Sequence, residues 1–385
     1  MSKVIVKSNL LQIDNVQEIK FPCNTFFAES CTIHNNLLYI PLNKSTISSL
    51  ATINAVDTYK SGLYVYGIKC SDDSQTITYP ILEDMLKETK PLFQFKDKEV
   101  IVGSKIRGNT WVGCNSAGSL IIYSLDTKLK KEITFKRGYY PNDVCFDTDD
   151  DNVVYVISNK NYKRLDGVVS KVSLIDGTVT DVIKNIYSGT GINMKGDDLY
   201  ISTLVKLYIA NKYSYKIRPI LSFHEDYPLF DNVTIKDNVA HFAVYSYQCK
   251  SEYSFIKNQC LSFLGTSLMS CCCGVGILDR VNIDRTMHQH KVIKFMTYDC
   301  DTRQLVYNEF DRVIPEFDET VTQIEKVGEY SYLCTNWKSS KIVIINTLPP
   351  KADVGTAEEN KEDAEVSAIN DNTASINDID ADITV

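Results

Sequence analysis

The sequence GYYPNDVCFDTDDDNVVYVIS, from Gly138 to Ser158, places a cluster of aspartates directly before a run of β-branched and aromatic residues. An EF-hand calcium loop needs Gly at its sixth position and Glu at its twelfth. Counted from Asp147, those positions are occupied by Asn152 and Ser158. The Val- and Tyr-rich flanks favour strands and not the helices of an EF-hand. We therefore predict that Asp147–Asn152 is a solvated turn between two β-strands.

Short apolar runs separated by polar turns recur along the chain at roughly the 40–50-residue spacing of propeller blades. The runs are NLLYIPL (36–42), GLYVYGIKC (62–70), TWVGC with SLIIYSL (110–125), NVVYVIS (152–158), DLYIS (198–202), NVAHFAVYSY (238–247), VIKFMTYD (292–299) and SYLCTNW with KIVIIN (331–346). The pattern predicts an all-β fold, a six-bladed β-propeller over residues 1–348. We expect KSSKIVIIN (338–346) to pair with the N-terminal SKVIVK region (2–7), because ring closure removes exposed sheet edges.

Composition narrows the function classes. The chain of 385 residues has a net charge of −8, so nucleic-acid phosphates would be repelled and we expect no nucleic-acid partner. The N-terminus MSKVIVKSNLLQIDNV has no signal-peptide pattern, which predicts a cytoplasmic location. In that reducing compartment the 12 cysteines are expected to be free thiols. The adjacent Cys271, Cys272 and Cys273 lack the spacing of a zinc site.

Two segments depart from the blade pattern. NQCLSFLGTSLMSCCCGVGIL (258–278) is an uncharged, Cys-rich insert between strands of the fifth blade. Its length approaches the roughly 20 residues of a membrane span, but its place inside the ring argues against a single pass. Two alternatives are a loop buried against a blade and a peripheral membrane contact through a monotopic hairpin or acylated cysteines. Residues 349–385 are acidic and lack aromatic residues, which predicts a disordered tail.

Four short motifs resemble one family in order and approximate spacing. They are FFAES (26–30), YPNDVCFD (140–147), SGTGINMKGDDLYIS (188–202) and LFDNVTI (229–235). They are similar to elements of the calcium-dependent six-bladed propellers, which include the paraoxonases and arylesterases, the strictosidine-synthase-like proteins and the gluconolactonase group. Successive blades of those proteins open with an amide or an acid that points into the central tunnel. The resemblance implies the same fold with calcium as the cofactor.

Carried over to this sequence, the resemblance implies the metal ligands Glu29, Asn142, Asp231 and Asn232. Calcium takes six to eight oxygen ligands, and one acid or amide from each of several blades would supply them. The alternative for Glu29 is a surface acid before a strand, and for the others a simple turn. Asp143 matches an acid that holds a second, structural calcium in paraoxonases, but the expected partner acid is Ser30 here.

Other positions depart from the family pattern. Thr190 replaces an expected Asn, which removes one amide oxygen from the metal site. The paraoxonase histidine dyad has no counterpart in GSKIRGNTWVGCN (103–115). The five histidines are His34, His224, His241, His288 and His290. His34 is expected to be structural, and His224, just upstream of the Asp231 loop, is the best placed of the five. Cys23 has no obvious partner for the family's ring-closing disulfide.

The resemblance therefore implies a calcium-dependent hydrolase acting on a small-molecule lactone or aryl ester. The metal would polarise the substrate carbonyl, and Asp231 is the candidate base. The sequence contains no G-x-S-x-G nucleophile elbow and no HExxH motif. The alternative is a catalytically inactive propeller that acts as a scaffold or binding module, which Thr190 and the missing dyad favour. An amine–aldehyde condensing enzyme ranks last, because its tunnel acid has no candidate.

Overall fold

In a computed structural model, the described part of the chain consists of β-strands and turns without a helix. The structure describes residues 6–21, 26–44, 60–67, 69–70, 77–78, 90–96, 99–160, 167–203, 206–222, 229–245, 293–315, 317, 321–336 and 339–349. The predicted insert (258–278) lies outside these ranges, as does the predicted tail after Pro349. Within the described ranges, no helix could cross a membrane.

Six small sheets form the blades, and each is built on an antiparallel meander from an inner to an outer strand, to which blade 5 adds one parallel strand. Blade 1 contains β3 (Phe26–Phe27), β4 (Thr32–His34), β5 (Leu37–Lys44), β6 (Gly62–Gly67) and β9 (Phe93–Gln94), with a separate ribbon of β7 (Lys69–Cys70) and β8 (Ile77–Thr78). Blade 2 contains β10 (Ile101–Arg107), β11 (Thr110–Asn115), β12 (Ser119–Ser124) and β13 (Lys130–Thr134). Blade 3 contains β14 (Tyr139–Phe146), β15 (Val153–Lys160), β16 (Gly167–Ser173) and β17 (Val179–Ile186).

The remaining blades use both ends of the described chain. Blade 4 contains β18 (Gly189–Lys195), β19 (Asp198–Thr203), β20 (Lys206–Asn211) and β21 (Ile217–Ser222). Blade 5 contains β22 (Leu229–Lys236), β23 (Val239–Tyr245), β24 (Lys294–Asp299), β25 (Leu305–Phe310) and the N-terminal β1 (Val6–Leu11). Blade 6 contains β26 (Gln323–Gly328), β27 (Ser331–Thr335), β28 (Lys341–Thr347) and β2 (Ile13–Lys20).

Contacts between innermost strands run in chain order from blade 1 to blade 6, and a bridge between Ala28 and Asn336 joins the last blade to the first. The predicted six-bladed propeller is therefore confirmed. The innermost strands approach one another so closely that two glycines are required. A Cβ on Gly103 would lie 2.5 Å from the Asn142 carbonyl oxygen, and one on Gly191 would lie 2.8 Å from the Asn232 Cα.

The ring closes through an N-terminal strand, as predicted, but the prediction named the wrong N-terminal segment. The strand that pairs with β28 is β2, which begins at Ile13, and not the segment 2–7. The described end of that segment belongs to β1, which pairs in parallel with β25 of blade 5. The physical reason is that an outer strand needs only one buried face. In β2 that face is provided by Ile19, while Glu18 accepts a hydrogen bond from the buried Lys341 at 2.6 Å.

The aspartate cluster lies in the turn between β14 and β15, as predicted, but one of its members is not solvated. Asp147 is buried, and its Oδ1 lies 3.0 Å from Nζ of Lys212, a buried lysine of blade 4. Lys212 also pairs with Asp149 and lies 3.6 Å from Asp197. The sequence prediction of a fully solvated turn is therefore wrong for Asp147, because a lysine 65 residues away supplies its counter-charge.

Candidate tunnel site

The innermost strands of blades 2 to 5 share a local irregularity close to the residue where each strand begins. The strand register shifts at Val102 in β10, at Asn142 in β14 and at Thr190 in β18. In β22 the shift spans Asp231 and Asn232. A β-bulge of this kind leaves the extra residue unpaired and redirects its side chain. Each of these four blades therefore offers a bulge residue at the same end of its inner strand.

A cavity of about 200 Å³ lies at these bulges and is lined by one residue from each blade. The lining residues are Glu29, Val102, Asn142, Thr190, Asn232 and Thr322. Three of the four predicted metal ligands, from blades 1, 3 and 5, are thus brought to one cavity. The fourth, Asp231, shares the bulge of β22, and its side chain lies outside the described part of the structure.

The two amides of the cavity are held so that they can offer oxygen atoms. Asn142 Nδ2 donates to the Gly189 carbonyl oxygen at 2.6 Å. Because a carbonyl only accepts, this bond assigns the nitrogen and leaves Oδ1 as the atom available to a ligand. Asn232 is 5% exposed, and its Oδ1 is buried without a hydrogen-bond partner among the described residues. A buried acceptor left in this state points to a missing ligand or water.

Blades 1 and 6 meet at the Glu29 backbone. Its carbonyl oxygen accepts hydrogen bonds from Thr322 Oγ1 at 2.8 Å and from Thr335 Oγ1 at 2.7 Å. The Glu29 side chain is half-buried at the cavity. These bonds fix the only acid that lines the cavity among the described residues, at the point where the ring closes.

Asp143 lies beside the cavity and is fully buried. Its Oδ2 accepts the Ile192 N–H at 3.0 Å, while its Oδ1 has no partner in the described chain. Burial raises the pKa of Asp143 to about 6, against the opposing effects of Lys105 and of nearby hydrogen-bond donors that include Asn232. The serine that replaces its expected partner acid, Ser30, shares a hydrogen bond with Ser104 at 3.2 Å.

The described histidines lie away from the cavity. His34 ends β4, where its ring hydrogen-bonds Asn35 at 2.9 Å. His241 is buried among Phe295 and Tyr332, and burial lowers its pKa to about 4. His224, His288 and His290 lie outside the described residues. No group of three His, Cys, Asp or Glu side chains in the described ranges could hold a metal, so any tunnel ion would need amide or hydroxyl oxygens in addition to the Glu29 carboxylate.

Sequence reasoning missed two of the six lining residues, Val102 and Thr322. Neither is an acid or an amide, so neither stood out as a metal ligand. What they share with the predicted residues is a position near the start of an inner strand. Thr322 directly precedes β26, and Asn142 directly precedes the regularly paired part of β14. Aligning the blades on their inner strands would have identified both.

Comparison with known proteins adds no argument to what the structure itself shows. No protein-family model matches the chain, and no curated protein matches it. A solved structure of the nidogen/laminin complex is 8% identical, with a TM-score of 0.48 over 86% of this chain and 89% of that chain. The computationally designed Ika4 protein is 12% identical, with a TM-score of 0.31 over 39% of this chain and 88% of that chain. At such identities and TM-scores, neither likeness bears on function.

Proposed function

We propose that the tunnel cavity binds a calcium ion and that the protein is a calcium-dependent hydrolase of lactones or aryl esters. The supporting observation is the donor set. Five of the six lining residues carry side-chain oxygens, and the amides of Asn142 and Asn232 both have an oxygen free for a ligand. The paraoxonase-like motifs of the sequence point to the same residues.

This donor set suits calcium. The ion takes six to eight oxygens from carboxylates, amides, hydroxyls, carbonyls and water. Glu29 would supply the charge and Asn142 and Asn232 would supply neutral oxygens, while Thr190 and Thr322, which also line the cavity, carry hydroxyls. Asp231, in the bulge of β22, would add a second carboxylate. Soft metals fit less well, because no cysteine lines the cavity in the described chain.

Bound calcium would polarise the substrate carbonyl and stabilise the oxyanion that develops on it. The protein's own residues would do the rest. Asp231 would accept a proton from the attacking water, since the described histidines lie elsewhere. Val102 would provide an apolar wall for the ring of the substrate.

The test is a panel of lactones and aryl esters incubated with purified protein, with calcium and with excess chelator. We expect turnover that chelator abolishes. Asp231→Asn should lower it at least 100-fold, as expected for a lost general base. Glu29→Gln should lower turnover at low calcium, and a higher calcium concentration should restore it. Turnover of no panel member with calcium present would contradict hydrolase activity.

A second candidate is a non-catalytic propeller in which the tunnel ion is structural. Two observations favour it. The cavity of about 200 Å³ is below the roughly 300–1,000 Å³ of small-molecule sites, and Thr190 stands where the resemblance expects an amide. A rise in melting temperature with calcium, without turnover, would support this candidate. Glu29→Gln combined with Asp231→Asn should then remove the rise.

A further inference from the structure

Asn159, near the end of β15, does not line the cavity but contacts the backbone that supports it. Its Oδ1 accepts the Gly189 N–H at 3.0 Å, and its Nδ2 donates to the Gly189 carbonyl at 3.2 Å. The same carbonyl oxygen accepts Nδ2 of Asn142 at 2.6 Å. The Asn159 side chain of blade 3 thus holds both backbone polar atoms of Gly189, at the start of blade 4. Gly189 in turn accepts the amide of the cavity residue Asn142.

We propose that Asn159 is a positioning residue for the tunnel site, acting through the Gly189 carbonyl on the orientation of Asn142. The inference rests on the proposed calcium site. With Gly189 held, the Asn142 nitrogen is committed to a carbonyl and its oxygen is offered to the ion. Without Asn159, Gly189 loses the hydrogen bonds to its N–H and to its carbonyl, so the acceptor that orients the Asn142 amide is no longer held in place. Removing such outer partners typically weakens metal binding by about 10–100-fold.

The surroundings of Gly189 make this backbone position demanding. Gly189 is buried, and a Cβ there would lie 2.4 Å from Cγ1 of Ile157. It also directly precedes Thr190, the bulge residue of β18 that lines the cavity. The Gly189 carbonyl, which orients the Asn142 amide, thus belongs to a backbone position with little room to move.

The chain contains a matched control between blades 1 and 2. Asn43 accepts the Ile101 N–H at 2.8 Å and donates to the Ile101 carbonyl at 2.8 Å. Like Gly189, Ile101 directly precedes a bulge residue, but that residue is Val102, which has no oxygen to offer. Asn43 therefore holds two blades together as Asn159 does, without orienting a metal ligand.

The experiment measures calcium affinity by calorimetric titration and the melting temperature in chelator, for wild type, Asn159→Ala and Asn43→Ala. Serine variants replace any alanine variant that does not fold. We expect both changes to lower the melting temperature in chelator, because each breaks an inter-blade clamp. Only Asn159→Ala should weaken calcium binding, by roughly tenfold or more. The double variant with Asn142→Ala should bind no more weakly than Asn142→Ala alone, because both act on one ligand.

The outcomes separate the two levels of the account. A wild-type protein that binds no calcium overturns the proposed site and this inference with it. Calcium affinity that is unchanged in Asn159→Ala, while wild type binds, overturns the positioning role alone. Equal weakening by Asn43→Ala would assign the effect to general loosening of the ring and would also overturn it.

Discussion

The two ends of β14 carry similar side chains that differ in whether their oxygens have partners. At the cavity end, Asn142 offers an oxygen to the cavity and Asp143 is buried with one oxygen unpaired among the described residues. At the other end, Asp147 and Asp149 are both bound by the ammonium of Lys212. The more acidic end is thus already neutralised by the protein, while the less acidic end retains oxygens without partners.

Acid density is therefore a poor guide to a metal site in this protein. A carboxylate beside a buried lysine already has its counter-charge, so it attracts a metal cation only weakly. The pKa values express this contrast. The pKa of Asp147 is lowered because hydrogen bonds from the Asp149 N–H and from Lys212 outweigh its burial, whereas burial raises the pKa of Asp143 to about 6.

The largest expected effect comes from breaking the outer cluster. Lys212→Met leaves Asp147 buried without its lysine, and loss of one partner of a buried ion pair costs about 3–5 kcal/mol. Urea denaturation should show this loss as a lower midpoint. As a control, Lys131→Met removes an exposed lysine that caps two carbonyls of blade 3, and it should change stability by less than about 0.5 kcal/mol. Equal effects of the two changes would contradict the buried network.

The second effect sharpens the contrast through pH. The folded-state pKa of Asp143 is raised from 3.8 to about 6, so its contribution to stability is fully present below about 4 and is lost as pH rises through 6. In chelator, the free energy of unfolding of wild type relative to Asp143→Asn should fall by up to about 3 kcal/mol over that window. The difference between the two proteins cancels the contribution of His241 to the pH dependence. His241 is present in both, and its lowered pKa makes stability rise with pH over the same range.

Asp147→Asn should give the reverse pH dependence. The pKa of Asp147 is lowered in the folded state, so its stabilisation is present above its ordinary pKa of 3.8 and is lost as pH falls below it. Relative to the variant, wild type should therefore lose stability in acid and not in base. Chemical denaturation between about pH 2.5 and pH 5 checks the sign. If the free energy of unfolding changed with pH in the same direction for Asp143 and Asp147, the contrast between the two ends of β14 would be contradicted.

The smallest effect is expected at Asp150, an exposed acid of the same turn. Asp150 is exposed, and its carboxylate only accepts the Asn152 N–H at 2.8 Å. Asp150→Asn keeps that acceptor, so thermal melting should change by no more than the equivalent of about 0.5 kcal/mol. A larger loss would show that the turn carries more than a local hydrogen bond.

The fold was predictable because its signal repeats. Strand-like runs such as NVVYVIS and KIVIIN recur with turns between them, and six units suffice for a ring. The closing strand was not, since several N-terminal segments could pair with β28 and the choice depends on contacts such as Glu18 with Lys341. Local sequence holds no record of such distant partners.

The candidate site was predictable in part. Glu29, Asn142 and Asn232 were predicted as acids and amides before inner strands, and all three line the cavity; their role as metal ligands stays a prediction. Val102 and Thr322 were missed because neither is an acid or an amide; position brings them to the cavity, Val102 at a bulge of β10 and Thr322 directly before β26. The pairing of Asp147 with Lys212 was missed for the same reason as the closing strand, since it joins turns of two blades.

The most direct test of the central claim is a calcium-binding isotherm of three proteins: wild type, Glu29→Gln at the cavity and Asp150→Asn in the acidic turn. The account predicts one tight ion in wild type and in Asp150→Asn, and binding weakened at least tenfold in Glu29→Gln, as expected when a charged ligand is lost. A wild-type protein that binds no ion, or a Glu29→Gln variant that binds as wild type does while Asp150→Asn does not, would contradict it.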